Sequence, residues 1–499
     1  MPAIALPESL AGVNIHFVGI KGTGMTALAE LFYSRGAIIT GSDVAERFYT
    51  DAILEKYSIC VLPFSESNIT ANIQYVIYSA AYSKETNPDL IAAQNRRLPC
   101  LLYAEALGSL SRREYGCAVA GVHGKTSTTG LVGTIVQELD LDAQVLAGSS
   151  ITSFGGSCVL TTPQFSASTN SIFVAETCEY RRHFCAFSPQ IVVLTSVESD
   201  HQDYYPTYES IRSAFVEFIC LLPEHGRLIY CADDAGCRET ADRAGAQRPD
   251  IELLPYGETA EGDYRLVFGT SADGTQTFTL SALGECVLRV PGKHMVRNAC
   301  AAAALVCELL KSSGKAPARS ITAIRRGILR FSGGKRRTEI VGTVNSNGTS
   351  VIVIDDYAHH PTAIRTTLAG LREFYPDRKL VVDFMSHTYT RTAALLDAFA
   401  GSFSDADIVI THKIYGSARE CTDGNVPVTG KALFEKIQAL HEHAYYFEEP
   451  LDALDFLTAT FSSPPEGYRS GYVFVTMGAG DNWKLGEALC SAAAEGVRV

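Results

Sequence analysis

Short apolar runs recur along the chain, each followed by a polar turn and then a stretch with helical spacing. In the first block, residues 1–108, Val13–Val18, Ala37–Thr40, Ile59–Leu62 and Tyr75–Ser79 read as strands. Thr23–Arg35 and Asp89–Arg96 read as helices, which gives a βαβ unit with a largely parallel sheet. The second block, 109–333, opens on a buried strand at Cys117–Ala120 and an amphipathic helix from Lys125 to Leu139. Strands at Ser171–Ala175, Ile191–Ser196 and Leu228–Cys231 and a helix at Tyr208–Leu222 follow. A polar, strand-rich stretch over 255–290 then leads into a long Ala-rich helix. A glycine pair, Gly333-Gly334, beside the basic cluster Lys335-Arg336-Arg337 marks the boundary to the third block, 334–499. There the alternation resumes, with strands at Val351–Ile354, Leu380–Phe384, Asp407–Thr411 and Val473–Met477 and helices at Thr362–Phe374 and Ala393–Phe403.

Composition narrows this picture. A chain of 499 residues with 46% apolar residues can fill several full-sized cores. Its formal charge of −13 argues against a nucleic-acid partner, because neutralising phosphates needs a basic face. The most apolar helical run, Ala299 to Leu310, is too short to span a bilayer, so no membrane partner is expected. The first ten residues lack the basic region and long apolar core of a signal peptide. The 14 cysteines are scattered with no C-x-x-C pair, so reduced thiols in a cytoplasmic protein are expected.

The chemistry-bearing residues cluster just after apolar strands, where α/β sheets bind ligands. Gly121-Val122-His123-Gly124-Lys125-Thr126-Ser127 is a phosphate loop: glycine-exposed N–H groups, a helix N-terminus and a lysine for the terminal phosphates. It is the short G-x-x-G-K-[ST] form, since Val119 stands where a full P-loop has its first glycine. Earlier, Gly19-Ile-Lys21-Gly22-Thr-Gly24 with Asp43 resembles the dinucleotide fingerprint. Lys21 replaces its second glycine, which weakens a nicotinamide reading and leaves a diphosphate-bearing ligand. Glu176 and His201, on the strands expected to flank the phosphate loop, make a magnesium site with Thr126. The run Asp355-Asp-Tyr-Ala-His359-His360 is not a core pattern. A zinc site there would need a third ligand, and none sits at helical spacing. Arg391, in a Tyr-Thr-Arg turn, suits a carboxylate or phosphate clamp.

Taken in order, His16–Met25, Gly121–Thr126, Val174-Ala-Glu176, Asp200-His201, Gly292-Lys-His294…Asn298, Asp355–Pro361 and Gly478–Asp481 resemble the Mur ligases of peptidoglycan synthesis over nearly the whole chain. The resemblance implies an α/β protein of three domains. These are an N-terminal Rossmann-like domain for a UDP-sugar (1–108), a central P-loop ATPase-type parallel or mixed sheet (109–333) and a C-terminal Rossmann-like domain for the amino acid (334–499). It implies ATP and Mg2+, with UDP-N-acetylmuramate and L-alanine as small-molecule substrates and a monomer or weak homodimer. The lactyl carboxylate would attack the γ-phosphate of ATP, and the alanine amine would then displace phosphate from the acyl phosphate.

On this resemblance Lys125, His359 and Arg391 are catalytic, and Gly121, Val122, His123, Gly124, Lys125, Thr126, Ser127 and Asn298 bind ATP, with Asn298 on adenine. Gly19, Lys21, Gly22, Gly24, Asp43 and Ser79 hold the UDP-sugar; Thr126, Glu176 and His201 hold the metal. Two positions depart from the family pattern: Cys178 where an Asp is usual, and Thr388 where the alanine-adding members carry Arg. Later-step members carry a carbamylated lysine after the Asp-His pair. No lysine lies between His201 and Asp234, which favours the alanine-adding branch. A ligase for recycled murein tripeptide shares these motifs and is the alternative. An NAD-dependent dehydrogenase would explain Gly19–Gly24 but leave the phosphate loop idle.

Overall fold

The computed structural model describes residues 6–272, 274–416 and 428–496. Its first sheet is five-stranded and wholly parallel, with Asn14–Val18 in the middle, Ile38–Ser42 and Val61–Leu62 on one side and Tyr75–Tyr78 and Cys100–Leu102 on the other. The second sheet has seven strands. Tyr115–Ala120 lies near its centre, between Ile172–Glu176 and Ile191–Leu194, and pairs parallel with both. Such strands, buried on both faces, read as continuous apolar runs, and Cys117, Ala118, Val119 and Ala120 are fully buried. The third large sheet has six strands, with Thr349–Asp356, Tyr472–Gly478 and Lys379–Met385 adjacent and parallel and Glu339–Ser346 antiparallel at one edge. The polar stretch at 255–290 forms a separate three-stranded antiparallel sheet. No helix among the described residues is long and apolar enough to cross a membrane. The described cysteines are all free.

The differences from the sequence expectation have local causes. Ala143–Ile151 and Ser157–Thr161 are strands of the central sheet that the reading of apolar runs did not single out. Burial between helices supplies what β-propensity does not. Ala235–Gln247 is a helix that buries only Gly, Cys, Thr and Ala, too small a stripe to show in the pattern. The expected helix Ala393–Phe403 is two short helices, Tyr389–Ala394 and Leu396–Ala400, so Arg391 sits on a helix rather than in a turn.

A single apolar core runs from Leu6 to Phe331 and joins the first and second sheets, whereas the third sheet has its own core on each face. Two buried acids fix the first joint. Glu30, 2% exposed, accepts from the Tyr57 hydroxyl at 2.6 Å and from the Cys158 N–H at 2.9 Å. Arg35 donates to both oxygens of Glu114 at 2.6 and 3.0 Å and to Gln144 at 2.8 Å, with its guanidinium near the rings of Phe165 and Phe173. The third unit meets the rest through polar groups, through Gly370 of the helix Pro361–Phe374 packed on the Gly292 backbone, and through the linker, where Lys335 N–H donates to Ser150 O at 2.7 Å and Thr152 N–H to Gly333 O at 3.2 Å.

Removing one partner of a buried pair strands the other charge. Arg35→Ala should therefore lower unfolding stability by about 3 kcal/mol or more, read as a drop in urea midpoint with unchanged slope. A loss under about 1 kcal/mol would show that Glu114 is solvated at this joint.

Candidate active site

Three adjacent strands of the central sheet end at one place, so the phosphate loop, Glu176 and the segment after Leu194 converge there. The loop follows Ala120 and runs into the helix Lys125–Val136. Its glycines are required by close approach. At Gly121 (φ +134°) a Cβ would lie 2.2 Å from Thr195 Oγ1, and at Gly124 (φ +79°) it would lie 2.5 Å from Asn298 Oδ1. Lys125, its side chain 14% exposed, donates to Gly121 O at 2.5 Å and to Glu179 Oε2 at 2.9 Å. Glu179 Oε1 lies 3.3 Å from His201 Nε2.

The electrostatics follow from this geometry. Burial disfavours the Lys125 ammonium, yet Glu179 and Glu176 outweigh it and hold its pKa above the ordinary lysine value. Burial likewise opposes ionisation of Glu179, but Lys125 and His201 hold its carboxyl below the usual carboxylate range. Glu179 received no role from the sequence; its signal was a place three residues after the strand-end Glu176. Thr126 is buried, with Arg337 Nη2 3.5 Å from its hydroxyl, and Glu176 Oε2 accepts from Gly148 N–H at 2.8 Å.

Across from the loop stands the third unit. Arg391 Nε and Nη2 both donate to Asp200 Oδ1, at 3.2 and 2.9 Å. Burial works against the Asp200 carboxylate, but Arg391, His201 and His359 hold it well below the usual range. His359 Nδ1–H donates to Tyr357 O at 2.8 Å, and burial with the Arg391 charge pushes its imidazole far below the ordinary value, which keeps it neutral. Glu198 is a second residue that the sequence reading missed. It pairs with His123 Nε2 of the phosphate loop and accepts from the Thr362 hydroxyl of the third unit at 2.9 Å. Its signal was its place between a strand end and Asp200-His201.

These groups line one cavity of about 1070 Å3 with walls from all three large sheets. Of the expected site residues, Val122, His123, Gly124, Lys125, Thr126, Ser127, Glu176, His201, Asn298, His359 and Arg391 line it, as do Gly22, Gly24 and Ser79 of the first unit. Gly121 shapes the loop from behind. Gly19, Lys21 and Asp43 do not line the cavity. The Lys21 ammonium turns inward to Glu46 O at 2.8 Å, Val44 O at 3.1 Å and Asp51 at 3.3 Å, and the Lys21 backbone N–H donates to Asp43 Oδ2 at 2.7 Å. These contacts pin the segment 43–51 behind the loop that Gly22 and Gly24 present to the cavity. Gly19 (φ +81°) is needed because a Cβ there would lie 2.5 Å from the ring of Tyr82.

A phosphate loop, a buried acid cluster and a facing arginine–aspartate pair, shared among three α/β units, fit the class to which the chain's relatives belong, the ATP-dependent ligases. The chain belongs to the Mur ligase family: its catalytic-domain model matches residues 14–115, the middle-domain model 119–306 and the glutamate ligase domain model 336–480. The chain is 48% identical over 487 residues to UDP-N-acetylmuramate–L-alanine ligase of Treponema pallidum, covering 97% of each chain. It is 36% identical over 482 residues to the ligase of that name from Borreliella afzelii, covering 95% of this chain and 98% of the relative. Among solved structures, UDP-N-acetylmuramate–alanine ligase from Thermotoga maritima matches with a TM-score of 0.75 at 26% identity, over 97% of this chain and 99% of that one. A murein peptide ligase from Psychrobacter arcticus shares the fold, with a TM-score of 0.64 at 22% identity over 97% and 99% of the two chains.

Arg391→Ala leaves Asp200 buried without its cation, so the third unit should stand away from the central one. A larger radius of gyration in small-angle scattering, with ADP affinity at the Lys125 loop unchanged, is the expected outcome. Unchanged scattering by both Arg391→Ala and Asp200→Asn would show that the pair does not hold the units together.

Proposed function

We propose that this protein joins L-alanine to the lactyl carboxylate of UDP-N-acetylmuramate with cleavage of ATP to ADP and phosphate, forming a peptidoglycan precursor in the cytoplasm. The observation that carries this reading is the single cavity that sets the Lys125 loop of one unit opposite Arg391 and His359 of another. Backbone N–H groups of Gly124 to Ser127 cradle the phosphates, and Lys125 exchanges Glu179 for the terminal phosphates when ATP enters. Asn298, packed on Gly124, is placed for the adenine-bearing end. Gly22, Gly24 and Ser79 hold the sugar diphosphate on the opposite wall, with Lys21 and Asp43 stiffening their loop.

The donor set fits magnesium in part by chemistry: the Thr126 hydroxyl and the Glu176 carboxylate are hard oxygen ligands, and His201 completes the set we assign to it. When bound, the ion neutralises phosphate charge. The protein's own residues do the rest. Arg391 stabilises charge on the acyl phosphate, and the neutral His359 beside it can accept a hydrogen bond from the incoming amine. Contact between the units excludes water from an intermediate that water would destroy. We assign the chain to a monomer or weak homodimer.

Phosphate release should require ATP, UDP-N-acetylmuramate and L-alanine together, and murein tripeptide should not replace alanine. Release with tripeptide alone as acceptor would assign the chain to the recycling ligases. Lys125→Ala should cut turnover by about a hundred- to a thousandfold, as loss of one preorganised electrostatic group does, while UDP-N-acetylmuramate binding survives. Near-parental turnover in that variant would move the chemistry away from this loop.

A further inference from the structure

The tandem His359-His360 leaves one member without a role in ligation. His360 lines the same cavity as the Asp200–Arg391 pair but turns to other partners, with its ring centroid 5.0 Å from that of His123 and its Nδ1 3.7 Å from Glu198 Oε1. It is 5% exposed, and its Nε2 is buried with no hydrogen-bond partner among the described residues. A buried imidazole nitrogen without a partner is costly unless something else satisfies it.

We propose that His123, Glu198 and His360 form a second metal site, for a divalent transition cation of the zinc class, that ties the phosphate loop to the C-terminal unit. One ligand atom from each residue lies within 4.8 Å of the others. Around a tetrahedral zinc with bonds of about 2.0 Å, ligand atoms stand roughly 3.3 Å apart, so an inward shift of about an ångström closes the set. Two imidazoles and one carboxylate suit zinc, whereas magnesium selects oxygen. The carboxylate is already oriented: the Thr362 hydroxyl holds Glu198 Oε2 at 2.9 Å, which leaves Oε1 toward the histidines. The site shares no ligand with Thr126, Glu176 and His201.

Its ligands come from two bodies. His123 and Glu198 follow adjacent strands of the central sheet, while His360 caps the helix Pro361–Phe374 of the C-terminal unit. An ion held by all three therefore cross-links the units in the arrangement that closes the cavity. The third ligand that no helical spacing supplies to His360 comes from this other unit.

The test uses the full chain, stripped with a chelator and titrated calorimetrically with Zn2+ alone in excess Mg2+. One equivalent should bind, and X-ray absorption of the zinc-loaded parental protein should show two imidazoles with oxygen and no sulfur. His123→Ala, Glu198→Gln and His360→Ala should each weaken binding by at least about tenfold, the least that even an outer-shell loss costs. His201→Asn should bind as the parent does. A sulfur shell, an all-oxygen shell or no stoichiometric binding in excess magnesium overturns the proposal, as does loss in His201→Asn with retention in the other three. The absorption measurement needs no variant, so a variant that fails to fold leaves the test decisive. None of these readouts depends on ligation, so their failure leaves the proposed function standing.

Discussion

Taking a lysine ammonium out of water carries an effective penalty of several kcal/mol, and at Lys125 the protein meets it first with Glu179, backed by Glu176. Glu179, itself 3% exposed, needs Lys125 and His201 as much as they need it. The loop backbone adds carbonyl acceptors, and the two glycines let it pass where any Cβ would collide with Thr195 or Asn298. A buried cation held this way is poised rather than idle. An entering phosphate is likewise an anion, so the lysine can change partners without being dehydrated a second time.

Around that centre the molecule is built asymmetrically. The first and second units share one continuous core and two buried charge networks, centred on Glu30 and Arg35, so they are positioned like parts of a single domain. The C-terminal unit keeps its apolar residues in its own cores and reaches the others through ions, hydrogen bonds and one close backbone approach, Gly370 on Gly292. Polar contacts of this kind can be exchanged for water at modest net cost, whereas an apolar joint cannot. The division suits a site that must admit three substrates and then exclude water.

The two departures from the family pattern fall differently on this frame. Cys178 lies between Glu176 and Glu179 on the cavity wall, and burial, with Glu179 adding to it, pushes its thiol up to about 12. It is therefore neutral where an aspartate would add a third negative charge next to Lys125. Thr388 also lines the cavity, at φ +69°, and hands its carbonyl to the Thr392 hydroxyl at the start of the helix that carries Arg391.

Local order along the chain settled much of this protein. The strand–loop–helix around Lys125, the strand-end positions of Glu176, Asp200 and His359, and the α/β alternation in three blocks all rest on periodicity and turn chemistry, which act over a few residues. Tertiary structure decided the rest, because pairing across the chain leaves no mark at fixed spacing. Only folding could show that Glu179 neutralises Lys125, that Lys21 turns inward to the backbone at 44 and 46, and that Arg391 meets Asp200, a residue 191 positions away. The same holds for Ala143–Ile151, which becomes a buried strand because neighbouring strands on both sides complete its hydrogen bonds. Sequence determined which groups stand at strand ends; the packing of three sheets around one cavity determined which of them face each other.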